Sequence, residues 1–403
     1  MRILSVDVGT GTQDIYLYDS RVDIENGFKL VVPSPTMMVH KRLNEATRRG
    51  DAIVLTGVTM GGGPSHWAAR DHAKAGFPIY ATPEAARTFD DDLARVEADG
   101  IKIISADEIA TLPDSVTRLE LRDFDFAAIR RAFGEFGASL DDLDAVAVAV
   151  FDHGAAPPDV SDRQFRFDYL DEHIRAKNRL SAFAFLADDV PSIMTRLGAV
   201  VDSSGDVDAP LMVMDTAPAA VLGATLDPRV QARSRALITN VGNFHTLAFR
   251  LGPKGIEGVF EHHTGLIDLP KLETLLKALA ASSLKHEGVF GDHGHGALIY
   301  EQEPLVLGEG DFDVVVTGPR RNLFQEQGSK GEREHRPAPH SPQHPSPHAQ
   351  LRPYFPAPFG DMMITGCFGL LAAVADVLPE LSGPIRESLK GAGGSGTPPW
   401  EIA

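Results

Sequence analysis

Runs of apolar residues divide the chain into short strands set between glycine-rich connections. Arg2–Val8, Gln13–Tyr18 and Phe28–Val32 read as three strands, joined by Gly9-Thr10-Gly11-Thr12 and by Asp23–Gly27. Glycine between β-rich runs is a hairpin signal, so this stretch predicts an antiparallel meander. The pattern returns about 234 residues later, in Ala236–Val241, His245–Arg250 and Ile256–Glu261. Here the connections are Gly242-Asn243-Phe244 and Gly252–Gly255. A meander that occurs twice predicts two related halves facing one another.

Between and after the meanders, strands alternate with helices. Asp51–Val58 is an apolar run ended by Met60-Gly61-Gly62-Gly63-Pro64 and followed by a helical stretch from Ser65 to Ala75. Ala145–Phe151 holds only Ala, Val and Phe, which suits a strand buried on both faces. Leu211–Met214 leads through Asp215 and Thr216 into a small-residue helix with an early proline, Pro218. Phe312–Thr317 is a further strand, closed by Gly318-Pro319. This alternation predicts an α/β fold with mixed sheets. The expected layout is a first lobe over 1–226, a second over 227–330 and a helical return at the hinge over 359–390, followed by a loose tail over 391–403. Residues 331–358 carry eight prolines and four histidines (His335, His340, His344, His348) without helical or strand periodicity. Such composition buries too little apolar surface to offset its ordering entropy, which predicts a disordered insertion.

Charge and cysteine usage narrow the function. Among 403 residues, 56 Asp+Glu outweigh 38 Lys+Arg for a net charge of −18, which argues against general nucleic-acid binding. One cysteine, Cys367, excludes a disulfide framework and any iron–sulfur cluster held by several thiolates of this chain. The longest apolar stretch, Met362–Leu378, includes Asp376 and falls short of the ~20 residues of a membrane span. The first residues read directly as a strand and not as a signal peptide, so a cytoplasmic protein without membrane contact is expected.

The sharpest chemical signal is Asp7-Val8-Gly9-Thr10-Gly11-Thr12-Gln13-Asp14. Glycines let backbone N–H groups approach a polyphosphate, and threonine hydroxyls add donors. An aspartate at a strand end can hold Mg²⁺ through its waters. The plainer alternative is a Gly-Thr hairpin with an incidental acid. At the matching turn of the second meander, Gly242, Asn243, His245 and Thr246 offer a second cradle, so that the two turns would grip a nucleotide's phosphates from both sides; Asn-Gly turns are nevertheless common in any β protein. Imidazole and carboxylate groups concentrate in Glu261-His262-His263-Thr264 and Asp292-His293-Gly294-His295. Neutral imidazoles suit Zn²⁺ or Fe²⁺, but neighbours such as His262 and His263 point to opposite faces of a strand, so at most one of them would ligate. The glycine loop Met60–Ser65 reads equally as a substrate-contacting loop and as a turn. Arg163 and Arg166 read as holders of an anionic substrate or as surface ion pairs.

In order, these segments resemble the motifs of the actin / sugar kinase / heat-shock-chaperone ATPase superfamily. Asp7–Asp14 resembles its first phosphate motif, Thr216–Leu222 its first connecting helix and Asn240–Thr246 its second phosphate motif. Val314–Pro319 resembles the adenosine motif, and Gly360–Leu370 the second connecting helix. Asp7–Ile15, Gly57–Pro64, Asp152-His153-Gly154, Phe260–Gly265 and Gly360–Leu370 are also similar to a prokaryotic family sometimes labelled as related to the pyruvate formate-lyase activating enzyme. That label implies a Cys-x3-Cys-x2-Cys cluster site, which one cysteine cannot supply.

The superfamily resemblance implies a two-lobed ribonuclease H-like fold that binds ATP and Mg²⁺. Asp7 would position the metal, and Gly9, Thr10, Gly11, Thr12 and Gln13 would meet the phosphates, with the helix opening at Thr216-Ala217 completing the set. Asp152 would be the catalytic base, because the end of its strand points toward the γ-phosphate in that superfamily. The implied activity is phosphoryl transfer or hydrolysis, with a small molecule or a protein as acceptor. Asn240, where many members carry aspartate, supports the alternative of a nucleotide-dependent sensor without turnover. A third reading is a metal-dependent enzyme using His262, His263 and His295.

Overall fold

The first meander forms where the apolar pattern places it. In the computed structural model, which describes residues 1–324 and 350–390, the chain runs through β1 (Arg2–Val8), β2 (Thr12–Asp19), β3 (Phe28–Pro33), β4 (Ile53–Gly57), β5 (Ile79–Ala81), β6 (Lys102–Ile103), β7 (Thr117–Leu121), β8 (Ala145–Val150), β9 (Ala184–Leu186) and β10 (Leu211–Asp215). It continues through β11 (Ala236–Val241), β12 (His245–Gly252), β13 (Gly255–His263), β14 (Gly296–Ile299), β15 (Val314–Thr317) and β16 (Pro353–Tyr354). Two compact units result. One comprises Met1–Pro158, Phe183–Thr216 and the described residues from Leu370; the other comprises Asp159–Ala182 and the described residues of Ala217–Gly369.

In the first unit the main sheet has the order β3-β2-β1-β8-β10-β9. β1, β2 and β3 are antiparallel neighbours, whereas β1, β8 and β10 run parallel. β8 is Ala-Val-Ala-Val-Ala-Val and wholly buried, as a central strand covered on both faces requires. A second, all-parallel sheet, β6-β5-β4-β7, is inserted between β3 and β8. Its core joins Leu43, Ile53, Leu55, Ala69, Ile101 and Leu121. The helix Pro35–Arg49 enters through Ser34, whose side chain caps Met37 N–H, and leaves through Gly50 at φ 72°.

The second unit repeats the plan in the order β14-β13-β12-β11-β15-β16. β11, β12 and β13 are antiparallel, and β11, β15 and β16 run parallel. The correspondence extends to register. Val8 opposes Gln13 across the first turn, and Val241 opposes Thr246 across the second, an offset of 233 residues. Three antiparallel strands followed by two parallel ones, built twice, is the ribonuclease H-like arrangement of actin-like ATPases. The helix Leu269–Ala280 covers this sheet with Leu272, Leu276 and Leu279, one face at helical spacing.

Within the same unit the helix Thr216–Ala224 meets the start of the helix Thr365–Val377 at two glycines. A Cβ on Gly223 would lie 1.8 Å from the Thr365 carbonyl oxygen, and one on Gly369 would lie 1.8 Å from that of Ala219. Backbone touches backbone there, which only glycine permits.

Of the Pro/His-rich stretch, 331–349 lies outside the described residues, as does the tail 391–403. Residues 350–358 are built into the sheet: Pro353–Tyr354 forms edge strand β16, Leu351 is buried, and the Tyr354 hydroxyl donates to Asp227 at 2.9 Å. No helix among the described residues is long and apolar enough to cross a membrane.

Candidate functional site

The first turn closes when Gly9 N–H donates to the Thr12 carbonyl at 2.9 Å. Ser34 fixes its peptides: the hydroxyl donates to the Thr10 carbonyl at 2.5 Å and the N–H to the Gly11 carbonyl at 3.1 Å. In a trans peptide the N–H points opposite to the carbonyl, so the N–H groups of Gly11 and Thr12 are aimed away from Ser34. Gln13 does not join them. It is buried, and its side-chain amide donates to the Pro33 carbonyl at 3.2 Å.

Asp7 stands near the end of β1 and accepts a hydrogen bond from the Thr216 hydroxyl at 2.6 Å. Burial pushes its carboxyl up to about 6; the Thr216 hydrogen bond opposes that rise, and the charge of Asp215 adds to it. Asp215 ends β10 and is itself buried. Asp7 on β1 and Asp215 at the end of β10, two strands that flank β8, together with a turn whose Gly11 and Thr12 N–H groups face away from Ser34, form a donor set that fits Mg²⁺ and a polyphosphate.

Asp152 is held differently. One carboxylate oxygen accepts from Gly154 N–H at 2.8 Å, and the other accepts from the N–H groups of Arg196 and Leu197, both at 2.9 Å. Arg196 and Leu197 lie in the first turn of the helix Thr195–Asp202, so Asp152 caps that helix from a distant strand. Burial raises its carboxyl, while these hydrogen bonds and the Arg196 charge lower it. Arg196 in turn forms a two-pronged pair with buried Asp123, at 2.6 and 3.0 Å, and donates to the Phe151 carbonyl at 2.7 Å. His153 packs edge-on against Phe151. The glycine loop at Met60–Ser65 belongs to this same packing. A Cβ on Gly61 would meet Thr36 and Arg196 at 2.6 and 2.7 Å, and one on Gly62 would meet the Thr88 carbonyl at 2.4 Å. Its glycines serve close packing within the unit.

The second turn reproduces the first in backbone and departs from it in side chains. Gly242 N–H donates to the His245 carbonyl at 3.0 Å, and a Cβ on Gly242 would lie 2.5 Å from that oxygen. Asn240 occupies the place of Asp7 at the 233-residue offset. Gly318, at φ 98°, closes over it, leaving a hypothetical Cβ 2.4 Å from the Asn240 Oδ1. Asn243 is exposed at the tip. The Thr246 side chain is buried, its hydroxyl 2.9 Å from that of Thr264, and so points into the unit.

Strand alternation separates the adjacent histidines. His262 lies 3.4 Å from Asp292 on one face, while His263 on the other face sits 5.1 Å, centroid to centroid, from its cross-strand partner His245. The cluster expected from His262, His263 and His295 is therefore corrected: His262 is excluded, and His245 and Glu261 take part. Donor atoms of His245, Glu261 and His295 lie within 4.8 Å of one another. Arg166 is not a surface cation but is wholly buried, with its Nε 3.2 Å from Glu261 Oε2. Arg163 donates to the Phe290 and Gly294 carbonyls at 3.0 and 2.6 Å, tying down the loop before His295. The register rule held the missing signal, because β13 alternation puts Glu261 with His263, and a tight hairpin puts His245 opposite.

The duplicated fold and its paired turns have the architecture of the actin-like class. Within it, this chain belongs to the family described as "Putative pyruvate format-lyase activating enzyme (DUF1786)", which matches residues 60–323. The only cysteine, Cys367, is buried in a helix, so this chain cannot supply the thiolate set that activating chemistry needs. Similar solved structures include a ROK family transcriptional regulator, a homologue of the E. coli MLC protein, at 8% identity and a TM-score of 0.21, covering 63% of this chain and 37% of that one. An exopolyphosphatase-like protein matches at 10% identity and 0.22, over 70% and 58% of the two chains. The ROK hexokinase from Thermus thermophilus matches at 11% and 0.24, over 97% and 89%. The chain thus spans less than two thirds of the first two structures. No curated protein matches the sequence.

Proposed function

We propose that this chain binds ATP with Mg²⁺ at the turn Gly9–Thr12 and uses it for phosphoryl transfer or hydrolysis. The observation that carries the reading is Asp7, a carboxylate crowded by burial and by Asp215, on the strand that leads into a turn whose carbonyls are held by Ser34. Bound Mg²⁺ would neutralise charge on the phosphates, and Asp7 and Asp215 are the residues that would hold it through its waters. Thr216 orients Asp7 through its hydroxyl, and Ser34 keeps the turn preorganised. The base role expected of Asp152 gains no support from its geometry, since three backbone N–H groups already occupy its carboxylate. The acceptor, whether small molecule or protein, is part of this proposal only as a class.

A thermal-shift titration tests the reading. A ligand that binds only the folded state at a hundred times its Kd stabilises by about 2.7 kcal/mol. ATP with Mg²⁺ should raise the melting temperature, ATP with chelator should raise it less, and Asp7→Ala should abolish the difference. A flat response to every nucleotide at millimolar concentration refutes it. Asn240 favours a second reading, a nucleotide sensor: tight binding without phosphate release in any acceptor screen would select it.

A further inference from the structure

We infer that the second unit contains a site for a divalent transition-metal ion of the zinc or iron class, ligated by His245, Glu261 and His295. All three of these residues belong to the second unit. Its centre is Glu261, which is fully buried at the end of β13. Oε2 is claimed by Arg166, whereas Oε1 has no hydrogen bond and is turned toward the imidazoles. A buried carboxylate oxygen without a donor is costly, and a cation is the partner that removes the cost.

The spacing fits an ion and not a hydrogen-bonded pair. Glu261 Oε1 and His295 Nε2 are 3.8 Å apart, too long for a hydrogen bond. Two ligands at about 2.1 Å from one ion, spread by tetrahedral or octahedral angles, sit roughly 3.0–3.4 Å apart, within a small adjustment of that value. The His245 and His295 rings, 5.0 Å between centroids and at 89° to one another, approach from different directions. Rings bound through nitrogen to a common ion have centroids about 4.5–5.2 Å apart by the same geometry. His263 flanks both, at 5.1 and 4.6 Å.

The surroundings suit a metal better than an anion. Glu261 would repel a phosphate or carboxylate ligand. Arg166 acts as an outer partner that fixes the Glu261 orientation, as carboxylate ligands in metal sites require. Two imidazoles and one carboxylate are a ligand set for catalytic zinc or for non-haem iron, with positions left open. His245, only partly buried, marks the accessible side.

The test uses the full chain, stripped by chelator and titrated with Zn²⁺ alone under equilibrium dialysis with elemental analysis. Wild type should bind one more equivalent than His245→Gln, Glu261→Gln or His295→Gln, each of which weakens that site at least a hundredfold. His262→Gln, on the opposite face, should match wild type. Co²⁺ substitution adds a spectroscopic readout: visible absorption from a nitrogen- and oxygen-ligated ion, lost in Glu261→Gln. If a buried variant fails to fold by circular dichroism, the partly exposed His245→Gln decides alone. Equal metal content in wild type and the three ligand variants, metal held elsewhere such as by His335, His340, His344 and His348, or equal loss in His262→Gln overturns the inference.

Discussion

Replacing Asp7 by asparagine should make the protein more stable above neutral pH while removing the Mg²⁺-dependent nucleotide binding proposed for it. The folded protein holds the Asp7 proton up to about pH 6, against 3.8 for the free group, because burial and Asp215 disfavour the charge. A carboxyl whose value rises on folding contributes stability that is present at low pH and is lost as pH climbs through the folded value. A tenfold change in proton affinity is worth about 1.36 kcal/mol, so the rise from 3.8 to about 6 amounts to about 3 kcal/mol. Asp7 keeps some exposure, and solvent screening lowers this to about 1–3 kcal/mol. Asparagine retains an oxygen for the Thr216 hydroxyl, so the exchange removes the charge and little else. Urea denaturation of both proteins at acid, neutral and alkaline pH measures it. The variant should equal wild type near pH 4 and exceed it by about 1–3 kcal/mol near pH 8. A variant less stable than wild type near pH 8, or a gap that does not open between the two pH values, refutes the reasoning.

Gly369→Ala should destabilise by more than about 3 kcal/mol, since its Cβ would meet the Ala219 carbonyl oxygen at 1.8 Å and only backbone can yield; a midpoint within 1 kcal/mol of wild type contradicts the contact. Asp152→Ala should lose about 2–4 kcal/mol by orphaning three N–H groups, and Asp152→Asn less, with nucleotide binding intact in both; a stable Asp152→Asn that binds ATP but has lost turnover would restore the base role. Glu257→Ala leaves the buried Arg250 guanidinium, now 2.8 Å from Glu257, with carbonyl and hydroxyl partners but without that counter-charge, and should cost about 3–5 kcal/mol in equilibrium unfolding, while Glu257→Gln, which keeps an acceptor, should cost less.

Much of this architecture is legible in the chain because the meander strands are long enough for periodicity and are bracketed by glycine. β5, β6, β9 and β16, at two or three residues each, carry no periodic signal and appear only through their neighbours. The Pro-rich stretch shows composition misleading locally. Its average polarity conceals Leu351 and Tyr354, which dock on buried partners, and proline is tolerated because β16 is an edge. Side-chain direction was the harder quantity. Gln13 and Thr246 sit beside their turns in sequence yet spend their polar atoms inside the fold. Asp152 looked reactive at a strand end, but its partners Arg196 and Leu197 are more than 40 residues away, beyond any local pattern. Arg166 and Glu261, 95 residues apart, escape sequence reading for the same reason.

The two turns share one backbone closure, from residue 9 to 12 and from 242 to 245, while an acid stands at one and an amide at the other. Shape and reactivity are therefore inherited separately here. A duplicated scaffold can keep its loop and exchange its electrostatics through one substitution, so that one copy is free to acquire imidazoles while its twin retains the carboxylate.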